Sequence, residues 1–273
     1  MELEVLVATM RREDLSLAEK MNVRQNVLIA NQCEKWDYIS RQTEYGTVRM
    51  VSSNTRGVGI NRNLALNFAE GDILLFADDD LTYYDGTLQG VLDAFYELPD
   101  ADVIFFGLDM TKNGKVYEKR RNKKKRVYLW NSLKYGAART AVRRSAVESG
   151  RLSFSTLFGG GCIYGSGEDT LFVRDCFRNG LKAYSHPYVL GSCATDSSSW
   201  FAGYNEKFMF DKGAWIANAF PLTKHLIKWH FIRRYLPKTE LTWWEELKYM
   251  NMGIKAYNKK ADFYEAMANS NDN

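Results

Sequence analysis

The sequence is poor in the residues that build zinc or redox centres. Its four cysteines, Cys33, Cys162, Cys176 and Cys193, form no CxxC pair, and only three histidines accompany them. A structural zinc site is therefore not expected, and a disulfide framework has no support. No stretch offers the ~18 uncharged apolar residues that a bilayer-spanning helix needs. The opening, MELEVLVATMRRED, has neither the basic start nor the long apolar stretch of a secretion signal. Reduced thiols in a cytoplasmic setting are the expectation. Internal repeats and low-complexity linkers are also missing. What remains is ordinary globular material: 273 residues, 45% hydrophobic and 26% charged, with a net charge of +4. That fits one large α/β domain, or a domain with an appendage.

Strand-like and helix-like segments alternate through the first half. LEVLVAT (3–9), NVLIAN (26–31), TVRMVSS (47–53), DILLFA (72–77) and ADVIFFGL (101–108) read as strands. Helices are expected from about Glu13 to Val23, from Ile60 to Glu70, and along the stripe of Leu88, Val91, Leu92 and Phe95, which Pro99 closes. This order predicts a largely parallel sheet with helices on both faces. In such sheets ligands bind outside the carboxyl ends of the strands. The second half holds the basic run KRRNKKKR (119–126), the glycine-rich FGGGCIYGSGEDT (158–170), a helix from Asp169 to Arg178, a strand near LKAYSHP (181–187) and a helical tail.

The apolar run ILLF ends in three adjacent carboxylates, Asp78, Asp79 and Asp80. Like charges so close require a compensating cation, a proton or N–H donors. Three readings are open. The cluster is a solvated loop; or LLFADDDLT is a haloacid-dehalogenase-type phosphatase motif with Asp78 as nucleophile; or it is a site for a divalent ion and a sugar nucleotide. In the last case Mg²⁺ or Mn²⁺, held by hard carboxylate oxygens, offsets the repulsion and neutralises a departing diphosphate. The GVG of 57–59 is not a dinucleotide fingerprint, because its sixth position is Arg62.

RGVGINRNLALNFAEGDILLFADDD resembles the core of the family 2 glycosyltransferases, which have the GT-A fold. Arg62 and Asn63 take the positions of that family's RN pair, and Asp78 and Asp80 those of its DxD. Downstream, GSGEDTLFVRDCFRNGLKAY resembles the family's ED segment, with Glu168 and Asp169 opening a helix. The motifs, in that order, cover most of residues 1–190.

The resemblance implies a donor site. Thr9, with Arg11 nearby, and Asn31 or Gln32, where an Asp is commoner, stand at the nucleotide-base loops. Arg62 and Asn63 lie near the nucleotide, with Asp79 beside them. Asp78 reaches ribose or sugar and shares the metal with Asp80, the principal ligand. Asp169 is the implied general base, positioned and kept ionised by a helix N-terminus opposite the leaving group; the alternative is that Glu168 and Asp169 only charge the first helical turn. His186 is either a late metal ligand or a strand-end histidine with its own partner. Tyr164, Glu168 and Trp200 are placed on the acceptor side.

The basic run has no accompanying nucleic-acid motif, so nucleic acid is not expected as a partner. In the tail, Leu222, Leu226 and Trp229 lie along one side of a helix, with Lys224, Lys228, Arg233 and Arg234 available to another. TWWEELKY begins with a capping box, Thr242 with Glu245. Both helices either pack on the domain or meet an anionic membrane surface.

The resulting expectation is a GT-A catalytic domain over 1–215, divided into a nucleotide-binding half (about 1–110) and an acceptor-side half (111–215), followed by a helical extension over 216–273. Its expected activity is metal-dependent, inverting transfer from a nucleotide sugar, UDP-linked, to a saccharide or lipid-linked saccharide acceptor in surface polysaccharide or glycolipid synthesis. The expected location is cytoplasmic, peripheral on the inner face of the cell membrane. The alternatives are the phosphatase and a non-catalytic nucleotide-binding scaffold.

Overall fold

A computed structural model of the chain describes residues 1–194 and 203–271, with side chains to residue 269. Chain contacts divide it into two units, Met1–Phe154 with Asp169–Ser198, and Ser155–Glu168 with Ser199–Asn273.

The first unit is α/β. In chain order it comprises β1 (Leu3–Met10), α1 (Leu17–Lys20), β2 (Asn26–Gln32), β3 (Asp37–Gln42), β4 (Thr47–Ser53), α2 (Val58–Phe68), β5 (Ile73–Asp78), β6 (Leu81–Tyr83) and α3 (Thr87–Glu97). It continues through β7 (Val103–Lys112), β8 (Lys115–Arg120), β9 (Lys125–Val127), β10 (Thr140–Arg143), α4 (Arg144–Ser149), α5 (Glu168–Arg178) and β11 (Ala183–Ala194). All the strands form one sheet of order β3-β4-β2-β1-β5-β10-β7-β11-β6, with β8 on β7 and β9 on β11. The block β4-β2-β1-β5 is parallel. The short β10 enters antiparallel between β5 and β7, and β7 pairs in parallel with β11. The sheet is therefore mixed, with its parallel block on the side of the first strands.

The parallel strands are almost continuously apolar because both sheet faces are covered. Alternation of period two sorts them between two cores. Val5, Val7, Ile29 and Leu75 join Val91 and Phe95 of α3 on one face. Leu6, Leu28 and Phe76 join Phe154 and Phe172 on the other. Glu4 breaks the pattern inside β1 without cost, because Arg49 of β4 reaches it at 2.5 Å and the N–H groups of Glu70 and Gly71 donate to it at 2.7 and 3.0 Å.

Two expectations need correction. The helix proposed for Glu13–Val23 is a single turn: the Asp14 carboxylate accepts the Ser16 N–H at 2.9 Å, a local alternative to helix, and Asn22 turns left-handed at φ 54°. The strand β3 went unread, because its DYISRQ lies at the sheet edge and is mostly exposed, so it needs no apolar alternation.

The second unit is helical: α6 (Glu206–Ala219), α7 (Lys224–Tyr235), α8 (Trp243–Lys259) and α9 (Phe263–Asn271). The expected capping box opens α8, with Thr242 and Glu245 bonded reciprocally. Helices α6 and α8 meet at glycines. A Cβ on Gly253 would come within 1.9 Å of the Phe210 carbonyl oxygen, and one on Gly213 within 2.2 Å of that of Met250.

Candidate active site

The carboxyl ends of the parallel strands bring Thr9, Asn31 and Asp78 to one rim, and the turn after β5 adds Asp79 and Asp80. The three aspartates coexist because each is compensated differently. The Arg62 guanidinium lies 2.7 Å from Asp78 Oδ1. Arg12 Nη2 lies 2.9 Å from Asp79 Oδ2, which also accepts the Thr9 hydroxyl at 2.5 Å. Asp80 has no cation of its own among the described residues. Burial raises its carboxyl to about 6, repulsion from Asp78 and Asp79 adds to the rise, and a hydrogen bond from the Cys193 thiol opposes it. The same contact, with burial first, raises the Cys193 thiol to about 12. Asp80 Oδ1 is buried with no hydrogen-bond partner. Its backbone is fixed, since its carbonyl accepts the Ala194 N–H at 3.0 Å.

Arg12 and Cys193 are absent from the sequence-based site. Arg11 was preferred, but it takes a left-handed backbone at φ 56° and is exposed, and the next residue turns back to the rim. Cys193 is brought in by β11, which pairs with β6 immediately after the aspartates. No sequence pattern announces that pairing.

Several expected ligand contacts are structural instead. Asn31 is fully buried. Its amide oxygen accepts the Arg12 N–H at 2.9 Å, and its nitrogen lies 2.9 Å from both the Arg12 carbonyl and the Ser52 hydroxyl. It clamps the loop after β1 and cannot read a base. Gln32 accepts the Gly57 N–H at 2.8 Å, at the start of α2. Asn63 makes a two-way amide bond with Phe154, accepting its N–H at 2.7 Å and donating to its carbonyl at 2.9 Å. Asn61, not singled out in the sequence, donates to the Thr9 and Ala30 carbonyls at 3.1 and 2.8 Å and so ties β1 to β2 at the rim.

His186 is not at the rim. Its Nε2 lies 2.9 Å from Glu97 Oε2, at the end of α3. On β11 it follows Ser185, which pairs with Phe105, whereas Cys193 pairs with Met110. Five residues of β7 separate those levels, roughly 16 Å at ~3.3 Å per residue. His186 thus lies within β11 with Glu97 as its own partner, away from the rim where a metal reading would need it.

Asp169 opens α5 and is half-buried, its Oδ1 accepting the N–H of Thr170 at 2.7 Å. A Cβ on Gly136 would lie 3.1 Å from its Oδ2, and the Gly136 carbonyl accepts the hydroxyl of Thr140 on β10, the neighbour of β5. One turn along α5, Phe172 meets Phe76 of β5 at 5.3 Å, two residues before Asp78. Asp169 and the aspartates thus belong to one end of the same sheet.

In the second unit Glu168 accepts the Gly167 N–H at 3.1 Å. Tyr164 is fully buried among Phe158, Phe210 and Tyr257, with burial first raising its phenol to about 12. A side chain with no exposed surface cannot contact an acceptor, so its acceptor-side reading is corrected to a core one. Trp200 lies outside the described residues.

The basic run is also partly structural. Arg121 pairs with Asp109 at 2.6 Å, Lys124 pairs with Glu97, and Arg126 stacks on Tyr184 at 4.9 Å.

A mixed sheet with flanking helices, and an acidic rim at the carboxyl ends of its parallel strands, define a GT-A-type transferase. Similarity to known structures is found along nearly the whole chain. S. aureus TarS 1–349 in complex with UDP-GlcNAc aligns with a TM-score of 0.59 at 17% identity, over 95% of this chain and 72% of that one. The same segment in complex with UDP gives 0.61 at 17% identity, over 96% and 83%. S. aureus TarS gives 0.56 at 19% identity, over 86% and 44%. At these identities the likeness establishes the fold. No curated protein sequence matches the chain. Residues 29–150 match the model of glycosyl transferase family 2. The protein is a glycosyltransferase.

Proposed function

We propose that the enzyme transfers a sugar, with inversion, from a UDP-linked donor to a saccharide or lipid-linked saccharide acceptor, using a divalent cation at the aspartate rim. The observation that carries this reading is the buried, partnerless Oδ1 of Asp80, beside two aspartates already held by arginines. Among the described residues no group of three or more His, Cys, Asp or Glu could hold an ion alone. Mg²⁺ and Mn²⁺ do not require one, since they take one or two carboxylates and complete their shell with water and substrate phosphates. Asp80, with Asp78 as second carboxylate, fits that pattern. A bound ion would supply charge neutralisation for the departing diphosphate. The UDP and UDP-GlcNAc complexes of the similar structures support a uridine diphosphate donor.

Arg62 and Arg12 orient Asp78 and Asp79 through their ion pairs. Asp169 accepts the proton of the attacking hydroxyl, its carboxylate held by the Thr170 N–H in the first turn of α5. With base and leaving group on opposite faces of the sugar, the product is inverted.

Thermal stabilisation by UDP-sugars with and without Mn²⁺, combined with turnover of Asp169→Asn, tests the reading. Donor and Mn²⁺ together should stabilise both proteins by mass action. Transfer by the variant should fall ~10²–10⁴-fold, the usual loss with a general base. A variant with undiminished turnover, or a wild type indifferent to UDP and Mn²⁺, would refute it.

A further inference from the structure

The helical unit carries a surface that the transfer chemistry does not use. From Lys212 to Thr239 the sequence contains no Asp or Glu, yet holds Lys212, Lys224, Lys228, Arg233, Arg234 and Lys238. Within that stretch lies α7. Its inner face is settled: Phe231 and Ile232 are buried, Phe231 meets Trp215 at 5.6 Å, and Lys228 donates to Asn251 Oδ1 at 2.8 Å. The outer face is apolar where a solvated helix is polar. Leu222, in the turn before α7, is 97% exposed and Leu226 72%, and Trp229 follows Leu226 by three residues on the same helical side. The stripe continues onto α8 as an aromatic row. Trp229 stacks on Trp243 at 5.4 Å, and Trp243 meets Trp244, 72% exposed, at 4.5 Å. Lys224, Arg233, Arg234 and Lys238 form no ion pair among the described residues.

Exposed leucine and tryptophan bordered by unpaired basic side chains, with acidic residues excluded for a whole helix, is the composition of a surface that lies in an anionic lipid interface. There tryptophan suits the headgroup level, and each lysine or arginine gains from the surface potential. Among the described residues no helix is long and apolar enough to cross a membrane, so insertion is shallow. We infer that the α7–α8 face, through Leu222, Leu226, Trp229 and Trp244 with the exposed Arg233 and Arg234, docks the enzyme on bilayers containing anionic lipid. The charge pattern selects a lipid surface over a second copy of this chain, whose identical face would be equally basic.

Flotation of the full chain with phosphatidylcholine vesicles, with and without phosphatidylglycerol, tests this independently of turnover. Co-flotation is expected only with phosphatidylglycerol at low salt, with a blue shift of tryptophan emission, and with release at 1 M salt, where the Debye length is ~3 Å. Arg233→Gln and Arg234→Gln should each weaken vesicle affinity about fivefold, the equivalent of ~1 kcal/mol per basic charge. Leu226→Ser with Trp244→Ser, both at exposed positions, should abolish the blue shift while thermal stability is unchanged. The inference is overturned if the protein stays in the dense fraction with phosphatidylglycerol at low salt, or if a variant combining Arg233→Gln, Arg234→Gln, Leu226→Ser and Trp244→Ser floats as well as wild type. It is equally overturned if the face proves to be a self-association surface, with a dimer that Leu226→Ser and Trp244→Ser disperse and no lipid binding.

Discussion

The guanidinium of Arg62 sits 2.7 Å from Asp78 Oδ1 and 5.3 Å over the ring of Phe154. The arginine expected to touch the nucleotide therefore has a prior duty, to hold the first aspartate of the rim in place. Removing it leaves a carboxylate next to two others. Arg62→Leu should destabilise the fold by about 1–3 kcal/mol, less than a fully buried pair would lose because Asp78 is 40% exposed. It should also weaken donor and Mn²⁺ binding, because Asp78 loses the partner that orients it. Arg62→Lys keeps the charge but not the planar fork on the ring, so an intermediate loss is expected. Thermal unfolding and UDP titration at several pH values measure both.

Asn63 offers a cleaner division between binding and architecture. Both halves of its amide are spent on the backbone of Phe154, whose ring stacks on Phe172 at 4.3 Å. Asn63→Ala leaves a buried N–H and carbonyl without partners, at about 1–3 kcal/mol. The midpoint of unfolding should fall, while the donor Kd of the folded protein should move much less than it does in Arg62→Leu. A Kd loss as large as that of the arginine variant would return Asn63 to the ligand.

Asn63 also shows where sequence reading stops. The apolar run into ADDD, the helix before it and the helix opening at Glu168–Asp169 are legible, since strand burial and helical spacing are local patterns. The partner of Asn63 is 91 residues away and consists of backbone, which no residue type signals. Arg12 differs from Arg11 only through a left-handed backbone, and Cys193 depends on β6 crossing to pair with β11. His186 could be read two ways because its environment is set by α3, eighty-nine residues earlier. Elements follow from short-range physics, whereas the functions of individual side chains follow from long-range pairing.

Gly253 tests the packing of the helical unit. A methyl group there would need Phe210 and its carbonyl to retreat from 1.9 Å to ordinary contact, so α6 and α8 would have to separate. Overpacking that backbone must absorb costs ~1–3 kcal/mol or more. Gly253→Ala should lower the thermal midpoint by several degrees, whereas Ala256→Gly, nearby on α8, should lose only about the ~1 kcal/mol of helix propensity and a small packing contribution.

Asp80 gives the enzyme a predictable acidic limit. Its carboxyl, raised to about 6 by burial first and then by Asp78 and Asp79, must lose its proton before it can serve a cation. Mn²⁺-dependent stabilisation by UDP should therefore weaken as pH falls through about 6, in proportion to the protonated fraction. The stability of the metal-free protein runs the other way. A carboxyl whose pKa is higher folded than unfolded binds more protons when folded, so its contribution is full below the ordinary value of 3.8 and is lost as pH rises through about 6. Asp80→Asn removes the buried charge. At pH 7.5 the metal-free variant should be more stable than wild type by roughly 1–2 kcal/mol, after screening at a partly exposed site. The same variant should lose the Mn²⁺ response. His186→Gln, whose imidazole lies against Glu97, should retain that response in full. Titration of Mn²⁺ into the three proteins with UDP, between pH 5 and 8, separates these outcomes. A wild type whose response is flat across that range, or an Asp80→Asn protein that still responds, would move the cation site away from Asp80.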